Sequence, residues 1–227
     1  VAVGVIGDIK HSLDRIAQLT TPHQGAHVRP LRERLVLEMD QHRDDLEYPV
    51  KPQKIIWDLR TALNLEDIVV CDVGAHKMWM ARMFRCEYPN TCIISNGFAS
   101  MGIAVPGAIA AKLVYPQRHV VAVTGDAGFM MNSQEIETAM RCKLPIVILI
   151  WNDSSYGLIE WKQMNQFQRS SNVHFTNPDF VAYAESCGAK GNREERTADL
   201  PTKHEEALAN DTVSNKDSPV DYRANIN

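Results

Sequence analysis

From Lys54 onward, short continuous apolar runs alternate with longer stretches in which apolar residues recur every three or four positions. The runs at residues 68–72, 92–95, 120–124 and 146–151 are rich in Val and Ile and show no polar face. Strands buried on both sides of a parallel sheet read this way. Helices are predicted between them, over residues 55–63, roughly 101–114 and roughly 133–142. Asn132 is expected to cap the last of these, with Glu135 as its capping-box partner. Strands alternating with helices predict an α/β domain with a doubly wound, mostly parallel sheet.

The flanks break this rhythm. An apolar run at residues 1–8 predicts a strand, followed by an amphipathic helix with Leu13, Ile16, Ala17 and Leu19 on one side. Leu31, Leu35, Val36 and Met39 suggest one further helix in a charged stretch. One strand and its helices cannot bury their own faces, so residues 1–48 are expected to be the tail of a preceding domain. Two prolines within residues 49–53 mark a linker. Residues 54–227 would then form the main domain. Near the other end, Ser214-Asn-Lys-Asp-Ser218 holds the place where a further strand would fall. Read alone, it could not be a buried strand without unpaired charge. Arg193-Glu-Glu-Arg196 and Lys203-His-Glu205 add charge to the same region.

Composition excludes more than it identifies. Hydrophobic residues make up 44% and charged residues 23% of the 227 positions, as in an ordinary globular chain. The formal net charge of −4 and the lack of a basic stretch give no reason to expect nucleic acid as a partner. No apolar run has the ~18 residues of a membrane span, and the first residues do not resemble a secretory signal. The five cysteines, Cys71, Cys86, Cys92, Cys142 and Cys187, are scattered without a C-x-x-C pair. That spacing predicts reduced, mostly buried thiols in a cytoplasmic protein rather than a zinc site or a disulfide framework.

Candidate chemistry lies at strand ends, where open parallel sheets bind ligands. Asp126 follows the run at 120–124, and Asn152-Asp153 follows the run at 146–151. The two aspartates stand 27 positions apart, and the helix between them would let them converge at one edge of the sheet. Magnesium takes one or two carboxylates together with phosphate oxygens. Gly125, Ala127 and Gly128 allow the backbone to approach such phosphates, and the loop Ser154-Ser155-Tyr156-Gly157 could add a carbonyl. A Gly-Asp pair after a strand is more often a simple turn. The chain contains a control: Gly7-Asp8 also ends an apolar run, but Leu35, 27 positions after Asp8, can ligate nothing.

Gly125-Asp126-Ala127, 24 residues and Asn152-Asp153 resemble the thiamine diphosphate motif, with Ala127 in place of its third glycine. Further stretches are similar to catabolic, FAD-independent acetolactate synthases: Asp72-Val-Gly-Ala-His-Lys-Met-Trp79, the segment from Ser95 to Ala111, Phe167 to Phe175, Tyr183 to Gly191, and Pro219-Val-Asp-Tyr222. The first four are spread through residues 54–191, and the last lies beyond them.

The resemblance implies thiamine diphosphate and Mg2+ as cofactors, with Asp126, Asp153 and the main-chain oxygen of Ser155 as metal ligands. It implies that Gly74, Ala75 and His76 approach the diphosphate, that Met101 buttresses the bent cofactor, and that the Ala99 carbonyl faces the aminopyrimidine. Gly125, Ala127, Gly128, Tyr156 and Gly157 complete the expected cofactor-binding set.

No catalytic residue is expected in this chain. In relatives, the glutamate that activates the cofactor sits on a separate pyrimidine-binding domain, supplied by a second subunit, and nothing here resembles that domain. The implied reaction condenses two pyruvates to 2-acetolactate with release of carbon dioxide, in a cytoplasmic homodimer or homotetramer. Another thiamine-dependent 2-oxo acid decarboxylase or carboligase, or a non-catalytic cofactor-binding module, remains open on the sequence. A nicotinamide enzyme is disfavoured by the lack of G-x-G-x-x-G after a strand.

Overall fold

A computed structural model of the chain describes residues 3–22, 25 and 28–223. It contains two compact units, Val1–Leu37 and Glu38–Asn227. The first holds α1 (Ile9–Leu19), capped by the Asp8 carboxylate, which accepts the His11 amide at 2.8 Å, and most of α2 (Arg29–Asp40). Leu13, Ile16 and Leu19 recur at helical spacing on α1 and are all exposed. The strand expected at residues 1–8 does not form over residues 3–8. Val3, Val5 and Ile6 are exposed there, and every strand of the described residues lies between Ile68 and Pro219. Without a ladder partner an extended run gains no strand hydrogen bonds. Val1 and Ala2 lie outside the described residues.

The second unit is built on a six-stranded, all-parallel sheet. Its strands are β1 (Ile68–Cys71), β2 (Cys92–Ile94), β3 (Val120–Gly125), β4 (Val147–Asn152), β5 (Lys190–Arg193) and β6 (Ser214–Pro219), in the spatial order β2-β1-β3-β4-β6-β5. Helices cover both faces: α3 (Pro52–Ala62), α4 (Ala75–Met83), α5 (Ala104–Val114), α6 (Asp126–Met131), α7 (Glu135–Arg141), α8 (Gly157–Phe167), α9 (Phe180–Ser186) and α10 (Leu200–Ala209). The two-residue period of a strand divides the apolar runs between two cores. Val69, Cys71, Val121, Val123, Leu149 and Trp151 pack with Ile55, Ile56 and Leu59 of α3. Val70, Ala122, Ile148 and Ile150 pack with Ala104, Ala108, Phe129, Ile136 and Phe180. This is the doubly wound sheet that the apolar runs predict.

Several local expectations are corrected. The linker prolines do not leave a free segment: Pro52 opens α3, and Val50 pairs with Val220 beside β6. Helix α7 begins at Glu135 with Gln134 at its N-cap position. The turn at 126–131 is itself helical, so Asn132 closes α6 instead, and its amide donates to the Gly102 carbonyl at 2.8 Å. Only Cys71 among the cysteines is buried; Cys86 and Cys142 are exposed, and all five are free. Exposure follows position, because Cys86 and Cys142 lie beyond the ends of α4 and α7.

The largest correction concerns Ser214–Pro219, which is a fully buried strand between β4 and β5. Its charges are paired. Lys216 Nζ lies 2.9 Å from Glu194 Oε1 and 2.6 Å from His204 Nδ1. Asp217 accepts from Asn152 at 2.8 Å and pairs with Arg193. Ser218 donates to Glu194 Oε2 at 2.7 Å, and Asn215 donates to the Phe180 carbonyl at 2.9 Å. The charges in residues 193–196 and 203–205, which look misplaced in the sequence, supply partners for this strand.

Candidate functional site

Strand order places a crevice at the carboxyl ends of β1 and β3. The chain leaves β1 for β2 on one side and returns to β3 on the other, which makes a topological switch point. A cavity of about 200 Å³ opens there. It is lined from β1 by Val73, Gly74, Ala75 and His76, from β3 by Gly125, Asp126, Ala127 and Gly128, and beyond β4 by Asp153, Ser155, Tyr156 and Gly157. Ala99 and Met101 close it from the loop before α5, and Tyr222 from the segment after β6. Helices α4, α6 and α8 all begin at this cavity, so three N-terminal first turns face it together.

The carboxylates carry the electrostatics. Asp126 is buried, and its Oδ2 accepts from the Ser154 amide and from Asn177 Nδ2, each at 2.7 Å, while Oδ1 accepts from Ala127 N at 2.8 Å. Burial raises its pKa above the ordinary carboxylate value in spite of these donors. Asp153 is pushed up to about 7, first by burial and then by the negative charge of Asp126; Glu160 adds to the effect. Two carboxylates that resist joint ionisation attract a cation that would stabilise both. The oxygen donors of the two aspartates suit a hard ion. Among the described residues, no three His, Cys, Asp or Glu side chains cluster as a metal site by themselves, so such an ion would draw further oxygens from a ligand.

The remaining walls are shaped for close approach. A Cβ on Gly157 would sit 3.0 Å from Asp153 Oδ2, so a side chain there would press on the carboxylate. His76 is buried, its Nε2 has no partner, and burial lowers its pKa to about 4, which keeps the ring neutral. The loop bearing Ala99 and Met101 is tied to the end of β1 by Asp72. The Asp72 carboxylate accepts the Gly102 amide at 2.9 and 3.0 Å and the Thr124 hydroxyl at 3.2 Å. Gly102 has φ +85°, and a Cβ there would lie 2.8 Å from the Asn132 amide nitrogen. Glycine is therefore required at that position.

Every residue expected at the cofactor, from Gly74 to Gly157, lines this one cavity. Residues not expected there are Val73, Trp151, Leu158, Ile159 and Tyr222, with Asn177 and Asp72 bracing it from behind. Tyr222 follows from strand position once residues 214–219 are known to be a strand. Trp151 ends an apolar run on the face that meets Tyr222, the ring centroids being 6.2 Å apart. Nothing in the local sequence singles out Asn177, which reaches Asp126 from 51 positions away.

Residues 72–217 match the model of the thiamine pyrophosphate enzyme C-terminal TPP binding domain. The chain is 44% identical over 176 residues to the acetolactate synthase of Bacillus subtilis, which covers 78% of this chain and 31% of that protein. It is 34% identical over 229 residues to the catabolic acetolactate synthase of Raoultella terrigena, covering 98% of this chain and 41% of the relative. With a probable acetolactate synthase large subunit of Methanocaldococcus jannaschii it shares 39% identity over 168 residues, 70% of this chain and 28% of that one. The chain thus spans well under half the length of these relatives. A sheet whose switch-point crevice holds two aspartates at adjacent strand ends, matched over most of its length by that domain model, belongs to the thiamine pyrophosphate enzymes and carries their C-terminal, cofactor-binding domain.

Proposed function

We propose that this chain is the metal- and diphosphate-holding part of an enzyme that condenses two pyruvates to 2-acetolactate with release of carbon dioxide, using thiamine diphosphate and Mg2+. The observation that carries the reading is the meeting of Asp126 and Asp153 over a cavity walled by Gly74, Ala75, Gly125, Ala127 and Gly128. Asp126, Asp153 and the Ser155 carbonyl would hold Mg2+. The first turns of α4 and α8, with His76, would meet the diphosphate, and Met101 and Ala99 would support the cofactor's ring end. When bound, thiamine diphosphate supplies a carbon nucleophile that adds to 2-oxo acids; the protein supplies orientation and electrostatics. The chain's own part is to neutralise the diphosphate, fix its position and keep water from the buried carboxylates. Similarity to the Bacillus and Raoultella acetolactate synthases supports pyruvate as the substrate.

The complete enzyme is proposed to be a cytoplasmic, FAD-independent homodimer or homotetramer, in which the pyrimidine-binding domain of a second subunit supplies the activating glutamate. This chain alone is expected to be inactive. General acid–base help must come from a group within hydrogen-bond reach of the proton it moves. Asp126 and Asp153 are committed to the metal, and Glu160 already accepts hydrogen bonds from two hydroxyls and pairs with His174. Calorimetric titration of thiamine diphosphate with Mg2+ into the parent chain and Asp126→Ala tests the site, with binding expected in the first and lost in the second. Equal affinities would refute the assignment. Incubation with pyruvate and both cofactors should yield no acetolactate, and turnover that scales with chain concentration and vanishes in Asp126→Ala would overturn the inactivity.

A further inference from the structure

Glu160 lies in the first turn of α8, where an acidic residue needs no special explanation, since the helix dipole favours it. Its hydrogen bonds are less ordinary. Oε2 accepts from Ser155 Oγ at 3.0 Å, and Oε1 accepts from Ser170 Oγ at 3.3 Å and pairs with His174 Nε2 at 3.2 Å. One carboxylate thereby joins α8, the turn after β4 and the segment after α8. The same turn and segment are also laced main chain to main chain: Tyr156 N donates to the Val173 carbonyl at 2.9 Å, and Phe175 N to the Ser154 carbonyl at 3.1 Å.

The turn so held is under strain. Ser154 has φ +55°, a left-handed conformation that non-glycine residues adopt at a cost and that persists only where the surroundings impose it. From one side it is held by Asp126, which accepts the Ser154 amide at 2.7 Å, and by Asn177 Nδ2, 3.3 Å from the Ser154 hydroxyl. From the other side Glu160 grips Ser155, which is buried at the cavity.

We infer that Glu160 is a positioning residue for the metal site: by anchoring the Ser155 side chain to α8 it sets the direction of the Ser155 main-chain oxygen. This rests on the reading of that oxygen as a metal ligand. Partners of metal ligands, when removed, cost roughly 10- to 100-fold in metal affinity, and Glu160 is expected at the lower end because it acts on one ligand of three.

Two measurements on this chain test it: amide hydrogen exchange at Ser154 and Tyr156 without cofactor, and Mn2+ affinity in the presence of thiamine diphosphate, read by the electron paramagnetic resonance of free Mn2+. In Glu160→Ala, exchange should accelerate at both amides and Mn2+ affinity should fall on the order of 10-fold. Glu160→Gln, which keeps the length and an acceptor oxygen, should recover most of both. Unchanged exchange in Glu160→Ala overturns the inference, as does faster exchange with unchanged Mn2+ affinity, or a Gln variant no better than Ala. Asp126→Ala separates this from failure of the site itself. If the parent and Asp126→Ala hold Mn2+ equally poorly or equally well, the metal reading falls and takes the role of Glu160 with it. If only the Glu160 variants match the parent, the metal reading stands without it.

Discussion

Strands β4 and β6 lie side by side in one sheet and are equally buried, yet they are made of opposite materials. Residues 147–151 of β4 are Val-Ile-Leu-Ile-Trp; residues 214–218 of β6 are Ser-Asn-Lys-Asp-Ser. The apolar strand is stable because each side chain finds apolar neighbours on its own face. The polar strand is stable because the last residue of β5, the residue after it and α10 bring Arg193, Glu194 and His204 to its charges. The two aspartates of the site form a third case, since the charges that bear on Asp153 are those of Asp126 and Glu160, both negative. In this molecule buried charge is neutralised internally where the fold alone needs it, and left for a ligand where binding is proposed.

The sharpest way to break this contrast is to remove one charge from the buried pair. Glu194→Gln strands the Lys216 ammonium, and the cost should be about 3–5 kcal/mol, measured as a lower urea midpoint with an unchanged slope. In the apolar half, Leu149→Ala should cost roughly 2–5 kcal/mol through the cavity it leaves, read by the same denaturation. If Glu194→Gln proved harmless while Leu149→Ala did not, the ionic partners of β6 would be incidental. Replacing the pair together, Lys216→Met with Glu194→Leu, should recover most of the single-variant loss, leaving stability within about 1–2 kcal/mol of the parent, because no charge is left alone. The unpaired Ser218 hydroxyl and the His204 ring, which loses Lys216, should account for the remainder.

A smaller effect follows from Asp153. Its folded pKa is raised to about 7 from 3.8, so between about pH 4 and pH 7 the native state binds more protons than the unfolded chain. The stability of the cofactor-free protein should therefore be fully present below pH 4 as far as this group is concerned, and be lost as pH rises toward 7. Asp153→Asn should flatten that slope in a pH series of thermal melts. Added Mg2+ with thiamine diphosphate should restore stability most at the upper end of the window.

The apolar half was legible because its signal is local. Continuous Val and Ile runs ending in Gly-Asp and Asn-Asp place strands, their carboxyl ends and two aspartates without tertiary knowledge, and Gly125, Asp126 and Asp153 line one cavity. The polar half was not, since whether Lys216 and Asp217 can be buried depends on Glu194, His204 and Asn152, which the chain brings from 22, 12 and 65 positions away. The same limit hid Asn177 and Glu160, whose roles lie in what they touch. The mistaken cap at Asn132 has a different origin: the local signal was right for a helix start, but the preceding turn was already a helix and the Gly102 carbonyl claimed the amide.

The pairing of Val50 beside β6 has a practical consequence for dissecting the chain. Val50 N donates to the Pro219 carbonyl at 2.9 Å, Asp221 N donates to the Val50 carbonyl at 3.0 Å, and the Tyr48 hydroxyl reaches the Glu194 carbonyl at 3.1 Å. A truncation that starts at Lys54, where the helical rhythm of the sequence begins, would delete this clasp and leave the Pro219 carbonyl and the Asp221 amide without partners just upstream of Tyr222. An expression fragment that keeps this clasp therefore begins no later than Tyr48, and trimming further from the amino end is a way to loosen the site without touching any residue that lines it.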